Sequence, residues 1–531
     1  MRLGARGRPA GRGRGLLDLG ADAPLRRTPR LARGRDGGGG PQLPARPGRA
    51  AGRGVVSTGA PAESRGRSAH GYLLTQVFGD PATAELVSPS HTVRLWVDVE
   101  KALAEAEAEV GLVEPEDAAV IASLGDGAKL DQASLWEHTR TVGYPILPLV
   151  RMLAAQLPDG PAGRLHFGAT TQDVMDTALA LQLKGVLDRL DDLLVQFGQE
   201  IAGLVAAHRD TVMAARTHGQ QAVPTTFGAV LSGLLAEIGR HRARLADARP
   251  RIALVSLNGA GGTSAAIGEA AGRVRAALAG RLGLGVPSAV WHAARDGVAE
   301  VGWLCAAVSS TAARFATDVI NLSRNEIGEL AEGSGEVHYG ASSTMPQKAN
   351  PIRSEVVVGM SLLAGAVAAV LPRAMVVPHE RAAGEWQAEW QAVPQLAELA
   401  AGALLNAVAV ARSLTVDVDR MRHNAWMDGG FLMAEAFMMG LAGPMGREDA
   451  HDLVTAAVRR GRHRRETLVE ALRSLIPTEQ ADRLEELVAR LRPETYLGDA
   501  PTLCDRVLQE WKASVDRDRE QRDERSAPWK N

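Results

Sequence analysis

Residues 333–351 read GSGEVHYGASSTMPQKANP. The first half has neither a helical nor a strand period, and Gly333, Gly335 and Gly340 allow positive φ, so the segment reads as a mobile loop. The second half places Ser342, Ser343, Lys348 and Asn350 within nine residues: a nucleophile or base, a cation and an amide donor. Pro351 then opens a long apolar helix at N1, where a missing N–H costs nothing. A hinged loop with convergent polar groups, seated on a rigid helix, can complete a site by closing over it.

Outward from this loop the chain is long, 531 residues, enough for two or three domains and a large core. A net charge of −2 implies neither nucleic acid nor an anionic membrane as partner. Cys305 and Cys504 lie far apart with no clustered His or Cys, which argues against a disulfide framework or a structural zinc and fits a reducing cytoplasm. The longest apolar run, 356–371, is interrupted and short for a bilayer, and reads as a buried core helix.

Residues 1–70 are Arg, Gly and Pro with almost no apolar periodicity, and are expected to be a disordered extension; an RG-type RNA-binding tail is the alternative. From residue 71 to 165 the pattern predicts a small helical domain, with Val93, Trp96, Val99, Leu103, Ala106 and Val110 at helical spacing and a proline-bracketed helix over 145–158. Leu179, Leu183, Val186, Leu190, Leu194, Phe197, Ile201 and Leu204 then advance by threes and fours, the mark of a long bundle helix. Further long helices read over 225–248, 298–330, 352–370 and 388–410, giving a central domain of 166–415; a smaller, more charged helical domain fills 416–531.

The stretch SSTMPQKANP resembles the SS-x-M-P-x-K-x-N-P motif of the aspartase/fumarase superfamily, which includes fumarases, aspartases, argininosuccinate and adenylosuccinate lyases and 3-carboxymuconate cycloisomerases. The resemblance extends over about residues 71–512. It implies an all-α, three-domain fold whose long central helices pool into a 20-helix homotetramer core, with no cofactor, no metal and active sites shared between three chains. The family's reaction removes a weakly acidic proton beside a carboxylate and expels a group from the next carbon, so the site needs a strong base and donors fixed on two carboxylates.

On this resemblance Ser342 is the base, made competent by loop N–H groups and nearby positive charge once water is excluded. Lys348 and Asn350 hold the carboxylate that gathers charge, and Ser343, Thr344 and Met345 line the closed loop. GATTQDVMDT matches the G-x-T-S-x-D block, so Thr170 and Thr171 at a helix N-terminus take the second carboxylate, with Gln172 beside them. ARTHGQQAVP matches a G-R-T-H block with Ala215 in place of Gly, and His218 is the acid or orienting group. In AVWHAARD, of cycloisomerase type, Trp291, His292 and Arg295 are expected to line the pocket, Arg295 holding a carboxylate.

Two departures bear on substrate. The region HTRTVGYPILPLV lacks the T-x-H-D block of adenylosuccinate-type lyases, and Tyr144 and Pro145 sit near where cycloisomerases carry Gly-Asn-Pro. HERAAGEWQAEW keeps Glu380 and Arg381 but lacks the Ser-Ser of a nucleotide-phosphate clamp. The elimination apparatus is whole and the nucleotide contacts are missing, so the expectation is a small substituted succinate cleaved at carbon–nitrogen: nitrosuccinate to fumarate and nitrite, in antibiotic or other natural-product biosynthesis. The alternatives are 3-carboxy-cis,cis-muconate cycloisomerase, adenylosuccinate lyase, and a catalytically silent structural homologue.

Overall fold

The computed structural model of the protein describes residues 73–125, 130–333, 339–381 and 384–526, with side chains through 517. The expected extension over 1–70 and the Gly335 hinge lie outside the described residues.

Ser88 opens the first long helix, Pro89–Glu109 (α1), accepting the His91 N–H, with Pro89 at the start. Its apolar face carries Val93, Trp96 and Val97, which form a small core with Leu135, Ile146 and Leu149 and with Val174 and Ala178 from the next long helix. That core fixes where the second helix begins. Thr171–Ala207 (α2) is 37 residues long and buries Leu183, Val186, Leu190, Leu194, Phe197 and Ile201 along one stripe.

A hairpin follows: Val212–Thr217 (β1) paired antiparallel with Gln220–Thr226 (β2). Thr226 then caps Phe227–Ile252 (α3), accepting the Ala229 N–H, so this helix starts later than the sequence pattern suggested. Asp296–Leu322 (α4) ends before the expected 330, where the chain turns into Leu330–Ala331 (β3). Ile352–Ala368 (α5) and Glu385–Arg412 (α6) complete the bundle, and Thr415–Val416 (β4) pairs with β3. These five long helices pack on one another around a single apolar core.

Two expectations change here. Met433, Phe437, Leu441, Val454, Leu472 and Leu487 form a compact unit with a core of its own. The last helix, Ala500–Ser526 (α7), leaves that unit and returns to the bundle, burying Cys504 and Trp511 in the central core. Trp511 lies where a Cβ on Gly198 of α2 would come within 2.1 Å of its ring, so the glycine creates the seat. The second change concerns α5. With its continuation to Ala374 it is long and apolar enough to cross a bilayer, as is α6, by length and composition alone. α6 is mostly buried, whereas α5 packs on α4 and α6 with one face and leaves Leu362 and Leu363 72% and 46% exposed, so it is not the fully buried core helix expected. The all-α expectation holds for most of the described residues, among which two two-stranded sheets are added.

Candidate active site

The loop before α5 is built from its anchors inward. The Glu332 carboxylate accepts the Arg353 N–H at 2.8 Å, the Ser354 N–H at 3.1 Å and the Ser354 hydroxyl at 2.5 Å, N-terminal donors that a helix cannot pair internally. It also accepts the Tyr339 hydroxyl at 2.9 Å, and burial, then that carboxylate, pushes the phenol above its usual range. The neck closes where the Gly340 carbonyl accepts both the backbone N–H and the side-chain Nδ2–H of Asn350 at 2.9 Å. Gly340 is required: its φ is +62° and a Cβ would sit 2.2 Å from the Asn350 oxygen. The Asn350 amide nitrogen therefore braces the loop, a use not foreseen from the sequence. Pro351 stands at the cap, one residue before the expected N1.

Within the loop, Ser342 Oγ accepts the backbone N–H of Met345 at 3.2 Å and of Thr344 at 3.3 Å. Two N–H dipoles aimed at one hydroxyl oxygen favour its anionic form. Ser343, Met345 and Lys348 are exposed on the same loop.

At the other site, Thr170 caps α2 and Thr171 begins it, both half-buried at the N-terminus of a 37-residue helix. Unpaired N–H groups and the positive end of the helix dipole suit a carboxylate there. The geometry rests on Asp173, whose carboxylate accepts the N–H of Thr170 (3.1 Å), Asn258 (2.9 Å) and Gly259 (2.8 Å), the Ser256 hydroxyl (3.1 Å) and His292 Nε2 (2.8 Å). Burial alone would raise its pKa; the His292 ring and the two backbone N–H groups hold it below the usual carboxylate range.

Three expected pocket residues turn inward instead. Gln172 is 1% exposed; its Nε2 donates to Asp176 and to the His292 carbonyl. His292 is buried behind Asp173. Arg295, expected to hold a substrate carboxylate, is 1% exposed and forks onto Asp176 (2.8 and 3.1 Å) and Glu389 (3.0 and 2.5 Å), its guanidinium 5.1 Å above the Trp291 ring. A buried guanidinium must be paired, and this pairing leaves it no role at the surface. Trp291 itself donates its Nε1–H to the Val255 carbonyl. Arg381 stands at the α2 N-terminus instead, donating to Gln172 Oε1 at 2.9 Å and the Ala260 carbonyl at 3.2 Å. Nothing in the spacing of HERAAG marks this placement, since Gln172 lies 209 residues away.

His218 sits at the tip of the β1–β2 hairpin, exposed, with φ +53°, followed by Gly219 at +75°. Positive φ at both residues of a two-residue loop is what a type I′ turn demands. The hairpin is tethered below the tip by Arg216, which forks onto the buried Glu329 at 3.0 and 2.5 Å, and Ala215 falls at an irregularity of register. The sequence reading assigned no strands here.

These parts do not meet within one chain. Thr171 starts α2 and the hairpin follows its far end, and 37 residues at 1.5 Å each span about 55 Å. α4 begins beside the α2 N-terminus, where Arg295 meets Asp176, and runs 27 residues, about 40 Å, toward the end where Glu329 meets the hairpin and the Ser342 loop departs. One chain thus carries the threonines at one end and the hairpin histidine and serine loop toward the other.

The lyase family profile matches residues 81–366, and the adenylosuccinate lyase C-terminus profile matches residues 430–507. A 3-carboxy-cis,cis-muconate cycloisomerase of Pseudomonas aeruginosa is 39% identical over 78% of this chain and 91% of the relative. A nitrosuccinate lyase of Streptomyces davaonensis is 35% identical over 82% of this chain and 94% of its own. The crystal structure of 3-carboxy-cis,cis-muconate lactonizing enzyme from Pseudomonas putida superposes with a TM-score of 0.76 at 34% identity, covering 83% of this chain and 99% of that one. With the helical bundle and serine loop described above, these matches make the chain a member of the aspartase/fumarase superfamily, and a lyase enzyme.

Proposed function

We propose that this lyase removes a leaving group from a small substituted succinate to give fumarate, with nitrosuccinate as substrate and nitrite as the group released. Ser342 Oγ takes the proton from the carbon beside one carboxylate, the new C=C forms, and the C–N bond breaks with its electron pair departing on nitrite. Lys348 and the loop hold the carboxylate that gathers charge; Thr170, Thr171 and Arg381 hold the other; His218 orients the substrate or meets the leaving group. The observation that carries the reading is the pair of N–H groups on Ser342 Oγ, because an alkoxide base is what this proton needs.

A nitro leaving group also suits what the first domain lacks. The region 138–150 has no His-Asp pair of the kind that adenylosuccinate-type relatives carry in T-x-H-D. Nitrite leaves without strong acid assistance, so the loss of that histidine is tolerable. The 39% identity to the P. aeruginosa cycloisomerase favours a second reading, in which the same base and carboxylate sites act on 3-carboxy-cis,cis-muconate. Incubating the protein with each compound distinguishes them: fumarate with equimolar nitrite supports the first, lactone alone replaces it with the second, and neither product rejects both.

The separation of the parts along the bundle supports a homotetramer in which three chains build each site. The exposed Leu362 and Leu363 on α5 and Trp303 on α4 are the faces that other copies would cover. Light scattering that finds an active monomer overturns this assembly. Two free, buried cysteines suit a reducing cytoplasm.

A further inference from the structure

Aromatic residues are only 4% of the chain, and four of its nine tryptophans line one cavity. The cavity, about 290 Å³, lies between the N-terminal helices and the bundle, with Trp96 and Trp136 on one side and Trp386 and Trp390 on the other. Each pair meets edge to face, at ring-centroid distances of 6.2 Å and 5.1 Å, so the rings are braced in place. Leu179 of α2 forms part of the floor. Trp390, 36% exposed, marks the way out.

Two features of the wall define what fits. Its charged groups, Asp176 and Glu389, already share Arg295, and among the described residues no cation lines the cavity. A dicarboxylate would meet two carboxylates and no partner, so this space is separate from the site that takes the succinate. The second feature is Pro394, which lies inside α6 and also lines the cavity. Proline has no N–H, so the Trp390 carbonyl, four residues earlier, lacks its helical donor on this side. Thr92, Thr139 and Gln182 line it too, but their hydroxyls and the Gln182 Nε2 donate within the chain, so the cavity offers aromatic walls and hydrogen-bond acceptors, the Trp390 carbonyl among them.

We propose that this cavity is a second binding site, which takes one neutral, flat, aromatic molecule and holds it through a hydrogen bond to the Trp390 carbonyl. A cavity of about 150 Å³ is enough for benzene, so a bicyclic ring fits here. The site stands independently of which succinate the enzyme cleaves.

Indole and 1-methylindole are suitable probes, since they differ only in the N–H. Calorimetry and saturation-transfer NMR on the full chain should show saturable binding of indole at one site per subunit. Leu179→Trp, which fills the floor, should abolish it; if that variant misfolds by circular dichroism, Val186→Phe serves instead, since Val186 also lines the cavity. Pro394→Ala restores a donor to the Trp390 carbonyl, and should weaken indole about five- to tenfold while leaving 1-methylindole unchanged. Absence of saturable indole binding overturns the site. So does binding that survives the filled cavity, and an equal response of both probes to Pro394→Ala removes the hydrogen bond from the proposal.

Discussion

The roughly 55 Å between the threonines and the hairpin histidine along α2 makes a quantitative prediction about mixed assemblies. A reacting proton and its base must come within about 3 Å, so no closure of a single chain completes the proposed site. Take Ser342→Ala, which lacks the proposed base, and Thr171→Val, which keeps its shape but lacks the hydroxyl proposed to bind a carboxylate. Each alone should be nearly inactive. If they are unfolded, mixed in equal amounts and reassembled, each site draws its threonines from one chain and its serine loop from another. The threonine chain must then be a Ser342→Ala subunit, chance one half, and the loop chain a Thr171→Val subunit, also one half. About one quarter of the sites are intact, so about one quarter of wild-type activity should return, against essentially none if one chain supplied both parts. Fumarate absorbance in the ultraviolet follows the recovery, and native mass spectrometry reports whether mixed assemblies formed. Mixed assemblies with no recovered activity would refute the shared-site geometry.

Other consequences follow from single contacts. Ser342→Ala should lower kcat by about three orders of magnitude or more without shifting the melting temperature, since its hydroxyl touches only its own loop. Gly340→Ala puts a Cβ against the Asn350 carbonyl and should open the loop neck, cutting turnover while circular dichroism of the bundle stays unchanged. Arg295→Ala strands Asp176 and Glu389 in the core and should cost about 3–5 kcal/mol in denaturant unfolding. Glu107 is 0% exposed, and burial, with Glu100 nearby, pushes its carboxyl up to about 8 from 4.5. Between those values the folded chain keeps a proton that the unfolded chain releases, so this group makes stability fall as pH rises. Glu107→Gln should remove that fall and raise the melting temperature near pH 8; an unchanged pH profile would show that Glu107 is ionised in the fold.

The long helices were legible because a buried stripe must repeat every three or four residues, and Leu183 through Ile201 do so in plain view. The serine loop was legible for a different reason: a run of glycines and polar groups ending at Pro351 cannot continue any regular element. The hairpin was missed because only six and seven residues form its strands, and its turn is His-Gly rather than a stronger turn pair. Helix α7 was placed with the wrong unit because its seat, the bare surface of Gly198, is 313 positions from Trp511 in the chain.

Local order thus carried the helices, the cap at Thr170 and the loop that presents Ser342, since each depends on neighbours a few residues away. Which charges face inward was another matter. Arg295 and Arg381 both stand in tryptophan-bearing segments, yet one is sealed between Asp176 and Glu389 while the other reaches Gln172 at the mouth of the helix. A guanidinium's availability depends on which carboxylates the folded chain brings against it, and those partners lie 94 to 119 residues away from Arg295.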